Sequence, residues 1–219
     1  MTKTLDLPDM AGPEGRGLGR ILRDVLSSWP ARISAVVLAL IVLGAVFAPW
    51  LGTVDPVKLD PALRLKGMSA AHWLGTDSFG RDVYSRIVYG ARISLAVGAG
   101  TVLVSVLLGT FFGVITGYFR WADLIVMRFM DGLMAIPGIL LAIALVAISG
   151  ATLTTVLIAI AVPEIPRVAR MVRSVILGVK AEPYVEAASV LGTGVWKMVW
   201  RHLLPNTVAP LLVQGTYIF

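Results

Sequence analysis

Few residues in this chain could carry chemistry, and they do not form an enzyme site. The phosphate-binding pattern GxxxxGK[ST] is absent from the sequence. Paired carboxylates, a histidine cluster and an activated serine, which would indicate an enzyme, are missing as well. We therefore predict no catalytic residue and no cofactor bound by the chain itself.

The two histidines, His72 and His202, are the remaining candidates for metal ligands. The chain has no cysteine, which excludes a thiolate site. The histidines fall in predicted loops on opposite sides of a membrane, with no ligand spacing between them. His72 could meet an external metal ion, but nothing else in its loop completes a coordination set. We predict that both histidines are structural and that the chain holds no metal.

One charged pair falls within an apolar stretch. Glu164 and Arg167 are three residues apart, close to Pro163 and Pro166. In a membrane helix such groups face protein or water rather than lipid. We interpret Glu164 and Arg167 as a structural pair rather than a substrate contact. The helical pattern alone identifies no residue that lines a transport path.

The composition places these residues in a membrane. Of the 219 residues 57% are hydrophobic and only 15% are charged, and the mean hydropathy is +0.84. A soluble domain carries about 25% charged residues, so lipid is the solvent for most of this chain. The net charge of +6 is typical of the cytoplasmic loops of membrane proteins, and we do not expect nucleic-acid binding.

Uncharged stretches predict the membrane helices. The first helix is 33–51, long enough to cross the hydrocarbon layer. A cleaved signal peptide is the competing interpretation, but 32 residues precede the apolar core, and we favour an uncleaved anchor. Residues 52–90 are predicted to form an external loop that ends in a short amphipathic helix, in which Asp82 and Arg86 are four residues apart.

Three further helices are predicted beyond residue 91. An uncharged helix covers 93–117. The next uncharged run is too long for one pass, so we divide it into helices near 128–148 and 153–171, with a turn at 149–152. The final uncharged segment, 206–219, is too short to span, and we expect that the sequence is truncated within a fifth helix.

Positive charge sets the predicted orientation. With the N-terminus inside, the inner segments hold thirteen Lys and Arg and the outer segments six. Positive residues collect on the cytoplasmic side, so residues 1–32 are predicted to be a cytoplasmic segment.

The long inner loop, 167–205, is predicted to contain two short helices. Pro183 suits the first turn of one helix and Gly192 its C-terminal stop. Thr193 could cap the second helix, which Pro205 would terminate. The pattern leaves open whether this pair forms a knob outside the bilayer or a re-entrant or interfacial hairpin.

Specific residues of that loop resemble a family motif. Glu186-Ala187-Ala188, Gly192 and Leu204-Pro205 resemble the EAA-x3-G-x9-I-x-L-P motif of ABC importer permeases, with His202 in place of the motif's Ile. The motif forms a coupling loop, at about 172–205 here, that docks onto an ATPase subunit. The resemblance therefore implies that the ATPase-docking residues are Glu186, Ala187, Ala188, Gly192, Leu204 and Pro205.

A second resemblance narrows the family. The segments 72–82 and 89–95, followed by 127–131 and 136–138, are similar to dipeptide, oligopeptide and nickel permeases. The resemblance implies an all-α, polytopic membrane protein with the type I ABC importer permease fold. Five of the expected six transmembrane helices would be present in whole or part, with a permease core at 91–219.

The function that this resemblance implies is ATP-driven import. The chain would be the permease subunit that passes peptides from an extracytoplasmic substrate-binding protein across the cytoplasmic membrane. Its partners would be a second permease subunit, two ATP-binding-cassette ATPase subunits and the lipid bilayer. Nickel or glutathione is the alternative cargo. The alternative class is a secondary transporter driven by an ion gradient, in which more ionisable residues would be expected within the spans.

Overall fold

The computed structural model describes residues 27–219, which form two compact units, one that ends at residue 92 and one that covers 93–219. Within residues 27–219 the secondary structure is helical, with one isolated β-bridge and no strand. The predicted all-α class is therefore confirmed. Residues 1–26 of the predicted N-terminal segment, 1–32, lie outside the described residues.

The first unit begins with an apolar helix, α1, which spans Trp29–Val46. Pro30 is in its first turn, where the missing N–H has no intrahelical partner to lose. Nearly all of its side chains are exposed, and a helix that is apolar and exposed all round requires lipid around it. The helix ends earlier than the predicted residue 51, because a 3-10 turn takes over at Ala48–Trp50.

The loop after α1 leads into a long helix, α2, which spans Val83–Tyr118. Asp82 caps it, since its carboxylate accepts hydrogen bonds from the backbone N–H and the hydroxyl of Ser85, at 2.7 and 2.6 Å. The predicted separate amphipathic helix is therefore wrong: its residues are the first turns of α2. Residues 83–118 contain no proline, so nothing interrupts the helix.

Charged hydrogen bonds hold the end of this loop. Asp77 pairs with Arg81 at 2.8 Å and with Arg86 at 2.5 Å, so Arg86 does not pair with Asp82 as its spacing suggested. Partial burial alone would raise the pKa of Asp77. Backbone N–H groups of Arg81 and Phe79, together with the Arg81 guanidinium, outweigh that effect and lower the pKa to about 2. The carboxylate of Asp77 therefore stays ionised in mildly acidic surroundings.

The second unit contains the rest of α2 and six more helices. They are α3 (Arg120–Ala135), α4 (Gly138–Ser149), α5 (Leu153–Lys180), α6 (Pro183–Val190), α7 (Val195–Met198) and α8 (Leu204–Ile218). A π-helical turn, Val199–Leu203, connects α7 to α8. Helix α5 is central, because α3, α4, α6 and α8 all contact it.

The predicted helix 128–148 is wrong, because the chain bends by 88° between α3 and α4. Ile136 has an extended conformation with ψ 127°, as the residue before a proline prefers. Pro137 itself has no N–H to continue the ladder of α3. The charge-free run at 132–163 is thus shared by the end of α3, by α4 and by the start of α5.

Helix α5 extends well beyond its predicted end at Met171. Its apolar residues Val168, Val172 and Ile176 repeat every four residues and are fully buried, so the helix gains packing as far as Lys180. The predicted coupling loop at about 172–205 therefore begins as a helix rather than a loop.

Glycines allow α2 to pack directly on α5. A Cβ added at Gly109 would lie 2.5 Å from the Cβ of Val168, and one added at Gly113 would lie 2.6 Å from the Cβ of Val172. At Gly117 the nearest side-chain atom, on Ile176, would be 2.8 Å away. These distances are too short for any side chain. The spacing of four residues places all three glycines on one face of α2.

By length and composition, α1 and α2 are candidate membrane spans, and the bent pair α3–α4 makes a third if it counts as one span. Helix α5 is long enough but carries Glu164, Arg167 and Arg170 within its first 18 residues. The last helix, predicted at 206–219, starts at Leu204 instead.

The glycine contacts predict a position-specific effect of alanine. The substitution Gly113→Ala should lower the free energy of unfolding by about 1–3 kcal/mol, because the methyl group overlaps Val172. The matched control is Gly178→Ala on α5, where no atom lies within 4 Å of the added Cβ. Thermal unfolding of the purified protein in detergent measures both, and equal effects of the two substitutions would contradict the close packing.

Candidate docking site

The predicted docking residues cluster on α6 and the turn after it. Pro183 is in the first turn of α6 and Glu186 is an acidic residue there, which favours the positive N-terminal end of the helix dipole. Val185 is buried, whereas Glu186 and Ala187 are exposed. The helix thus has an inner face that packs and an outer face that is open to a partner.

Gly192 closes α6 with a Schellman turn. Its φ is +77°, a left-handed conformation that glycine adopts without strain. The Gly192 N–H donates to the carbonyl of Ser189 at 3.0 Å, and the Thr193 N–H donates to that of Ala188 at 3.1 Å. These two bonds satisfy carbonyls that the helix end would leave unpaired. The predictions that Pro183 starts this helix and that Gly192 stops it are confirmed.

The second short helix differs from its prediction at both ends. The residue before α7 is Gly194, without a side-chain hydrogen bond, so Thr193 does not cap the helix. Pro205 does not terminate it either, because Pro205 is in the first turn of α8. The π-helical turn at Val199–Leu203 provides the wider backbone spacing that lets the chain pass into α8 without a break.

A buried cluster anchors this knob, which we define as residues 183–203. Its core residues are Val168, Val172, Ile176, Val185, Met198, Val199 and Leu203. Ala188 and Leu204 are partly buried and pack against the cluster. Asn206 adds a polar contact, since its side-chain amide lies 3.4 Å from the hydroxyl of Tyr184.

The six predicted docking residues therefore differ in position. Glu186, Ala187 and Gly192 are exposed, and Ala188 is half-buried beside them. Leu204 packs under the knob, and Pro205 is exposed at the start of α8. A large side chain at Ala188 would disturb the packing of the knob as well as any contact beyond it.

An exposed apolar tip was not found from the sequence. Val190 is 88% exposed and Leu191 is 85% exposed, next to each other at the end of α6. Trp196 is 74% exposed on α7 and stacks edge-on against Trp200, with ring centroids 5.7 Å apart. Adjacent large apolar side chains this exposed indicate a surface that another molecule covers. The Schellman turn was the available signal, because it fixes which side chains lie at the tip.

Ion pairs between α3 and α5 also escaped the sequence analysis. The guanidinium of Arg173 forms a bidentate pair with the carboxylate of Asp123. Arg170 pairs with Asp131 at 2.7 Å. The two partners are 39 and 50 residues apart in the chain, so no local spacing could have indicated the pairs. They fix α3 to the half of α5 that carries the knob.

The contact between Glu164 and Arg167 that the sequence predicted is confirmed. Oε1 of Glu164 accepts a hydrogen bond of 2.5 Å from Nη1 of Arg167, both on α5.

The two histidines lie far apart in the chain and in different surroundings. Nδ1 of His72 lies 3.0 Å from Oδ1 of Asp82, in the loop before α2. The ring of His202 lies beside Tyr184, with centroids 6.1 Å apart. His72 thus has a polar partner, and His202 has an aromatic packing partner.

Two family descriptions match the sequence. Residues 105–219 match the binding-protein-dependent transport system inner membrane component, and residues 18–67 match the N-terminal TM domain of oligopeptide transport permease C. The first match covers more than half of the chain and includes the whole knob.

Similar proteins carry related names. The dipeptide transport system permease protein DppC of Alkalihalophilus pseudofirmus is 43% identical over 190 residues, which are 86% of this chain and 62% of that protein. The probable peptide ABC transporter permease protein y4tQ of Sinorhizobium fredii is 49% identical over 164 residues, 75% of this chain and 56% of that protein.

A third relative, the glutathione transport system permease protein GsiD of Pectobacterium atrosepticum, is 49% identical over 149 residues, 68% of this chain and 50% of that protein. The chain thus spans between half and two thirds of the length of these three relatives. Together with the apolar helices and the motif-bearing knob, the matches confirm the family predicted from the sequence. The chain belongs to the binding-protein-dependent transport system inner membrane components, the permease family of ABC importers.

Proposed function

We propose that this chain is the permease subunit of an ATP-driven importer that takes peptides from a substrate-binding protein. Membership of the permease family supports the transport role. Two of the relatives are named for dipeptide or peptide transport and one for glutathione, which is itself a small peptide. Peptides are therefore the cargo class that these names have in common.

The observation that carries the mechanism is the exposed tip of Val190 and Leu191. The exposed Glu186 lies on α6 one turn before Val190, and charged groups are costly in lipid. A tip that combines apolar and charged residues suits a contact with a water-soluble protein better than insertion into the bilayer. We propose that this partner is an ATP-binding-cassette ATPase subunit, which binds ATP that the permease does not.

The packing suggests how docking is coupled to transport. Val185 of α6 lies in one buried cluster with Val172 and Ile176 of α5. A displacement of the knob therefore moves α5, and α5 in turn packs on the glycines of α2. When two ATPases close on ATP, their docked knobs would approach each other and switch the two permease subunits from inward- to outward-facing.

This mechanism requires a defined orientation. The knob must face the cytoplasm, which agrees with the excess of Lys and Arg in the segments on that side. The N-terminus is then cytoplasmic as well, and the loop between α1 and α2 faces the substrate-binding protein. A second permease subunit supplies the other half of the pathway in the cytoplasmic membrane.

Replacement of Leu191 tests the docking directly. A side chain that is 85% exposed contributes little to the fold, so Leu191→Ser should leave the unfolding temperature unchanged. If Leu191 inserts into an ATPase groove, its loss should weaken ATPase binding roughly 30-fold, the effect of a typical hot-spot residue. The amount of ATPase that co-purifies at increasing salt concentration measures the loss of binding. The rate of ATP hydrolysis by the complex gives a second measurement.

The matched control is Leu59→Ser, which removes the same side chain at 62% exposure from the loop between α1 and α2. It should not affect ATPase binding. Equal retention of the ATPase by the Leu191 variant and the wild type would contradict the docking assignment.

The turn at Gly192 predicts a graded series. Gly192→Ala should reduce docking roughly fivefold, because the free knob can relax the strain of about 1 kcal/mol that alanine meets in the left-handed conformation, whereas the docked knob must restore it. No atom lies within 4 Å of the added Cβ, so a clash does not contribute. Gly192→Asn should weaken docking less than Gly192→Ala does, since asparagine tolerates the left-handed conformation better than alanine. Gly194→Ala is the control, because Gly194 has φ −61°. ATPase co-purification ranks the variants, and a loss at position 194 equal to that at 192 would exclude the turn as the cause.

A further inference from the structure

A groove of about 450 Å³ lies between α4 and α5. Its apolar wall includes Ile139 and Ala142 of α4 and Ile160 of α5, and its charged wall is formed by Glu164 and Arg167. Gly138 brings the start of α4 close to α5, since a Cβ added there would lie 3.3 Å from the Cβ of Pro163. The volume is within the range of small-molecule sites in proteins, which is roughly 300–1,000 Å³.

The charged pair leaves most of its hydrogen-bonding capacity unused. One bond joins Oε1 of Glu164 to Nη1 of Arg167, and the structure shows no further bond to either side chain from the residues it describes. A carboxylate has a second acceptor oxygen, and a guanidinium has four more N–H donors. The pair can therefore bind both a cationic and an anionic group without being broken.

A second acceptor is available at the same level of α5. Pro163 has no N–H, so the carbonyl of Ala159, four residues earlier, loses its α-helical donor. Ala159 also lines the groove. An ammonium group near Glu164 would therefore have a further potential acceptor nearby.

A purely structural role explains this arrangement poorly. A pair three residues apart on one helix adds little to helix stability. Arg167 is 57% exposed, so the pair is not the buried link between two helices. Ionised groups within a membrane must face protein or a water-filled path rather than lipid, and an open groove beside this pair fits such a path.

We propose that this groove binds a dipeptide-sized zwitterion on its way through the permease, with the cargo ammonium at Glu164 and the cargo carboxylate at Arg167. The inference rests on the proposed peptide-import function and assigns it a site. Because the two protein groups are in contact, they suit a ligand whose termini are close together, and the ends of an extended dipeptide are within about 7 Å.

The absence of cysteine from the chain allows a clean test. Ala142→Cys places one thiol in the groove wall, and Ala144→Cys places a matched thiol on α4 outside the lining residues. In the complex assembled with its partner subunits, the rate of maleimide alkylation of this chain is followed by mass spectrometry. The probes are alanyl-alanine and its N-acetylated, C-amidated form, which lacks both charges.

Alanyl-alanine should slow alkylation of the thiol at position 142 but not of the thiol at position 144, and the capped dipeptide should slow neither. Glu164→Gln and Arg167→Gln should each weaken the protection at position 142 roughly tenfold in dipeptide concentration, the loss expected for one charge-assisted hydrogen bond. Equal protection by the charged and capped dipeptides, or protection unchanged in both variants, would overturn the proposal.

Two controls separate this proposal from the others. ATP-driven uptake of alanyl-alanine by the same complex in proteoliposomes tests the peptide-import function, so uptake without protection of the thiol at position 142 overturns the groove site alone. If Glu164→Gln prevents assembly while the charge-reversed double variant E164R/R167E assembles and takes up dipeptide normally, the pair serves assembly, and the cargo assignment is overturned.

Discussion

The close approach of α2 to α5 is the constraint on which the second unit depends. At Gly109, Gly113 and Gly117 the two helices leave no room for a single methyl group. Lipid supplies no hydrophobic force that drives helices together, so a membrane protein relies on such complementary packing. The opposite residues, Val168, Val172 and Ile176, are the same ones that continue into the core of the knob. The same face of α5 thus packs against α2 and against the knob, which is the proposed docking element.

Most of the charged side chains of α5 that form contacts pair with other helices. Arg170 and Arg173 pair with aspartates of α3, and Lys180 caps the end of α2 through the carbonyls of Gly117 and Tyr118. Each of these cations therefore ties α5 to another helix. The Glu164–Arg167 pair differs, because both members belong to α5 and face a groove. That difference is the physical reason for assigning it to cargo rather than to the fold.

The sequence predicted part of the local structure and little of the long-range contacts. The helix ends predicted from Thr193 and Pro205 were wrong. Pro183, Gly192 and the Glu164–Arg167 spacing depend on the nearest residues, and the structure confirms each of them. The helix predicted at 128–148 failed, because absence of charge indicates apolar surroundings but not whether the backbone turns at Pro137. The extension of α5 and its pairs with Asp123 and Asp131 depend on residues that meet only after folding. The candidate docking residues came from a motif, and the exposed tip at Val190 and Leu191 became visible only with the turn geometry.

The proposed mechanism depends on docking of this tip on an ATPase subunit. The most direct measurement places a photo-activatable amino acid at position 190 and identifies the chains that become crosslinked in the assembled complex. If the tip docks, the probe at position 190 should give a specific adduct with the ATPase subunit, whose yield changes between nucleotide-free and ATP-bound complexes. The same probe at position 59 should give no such adduct. Adducts with lipid alone from position 190, in a complex that retains its ATPase, would exclude docking of the tip.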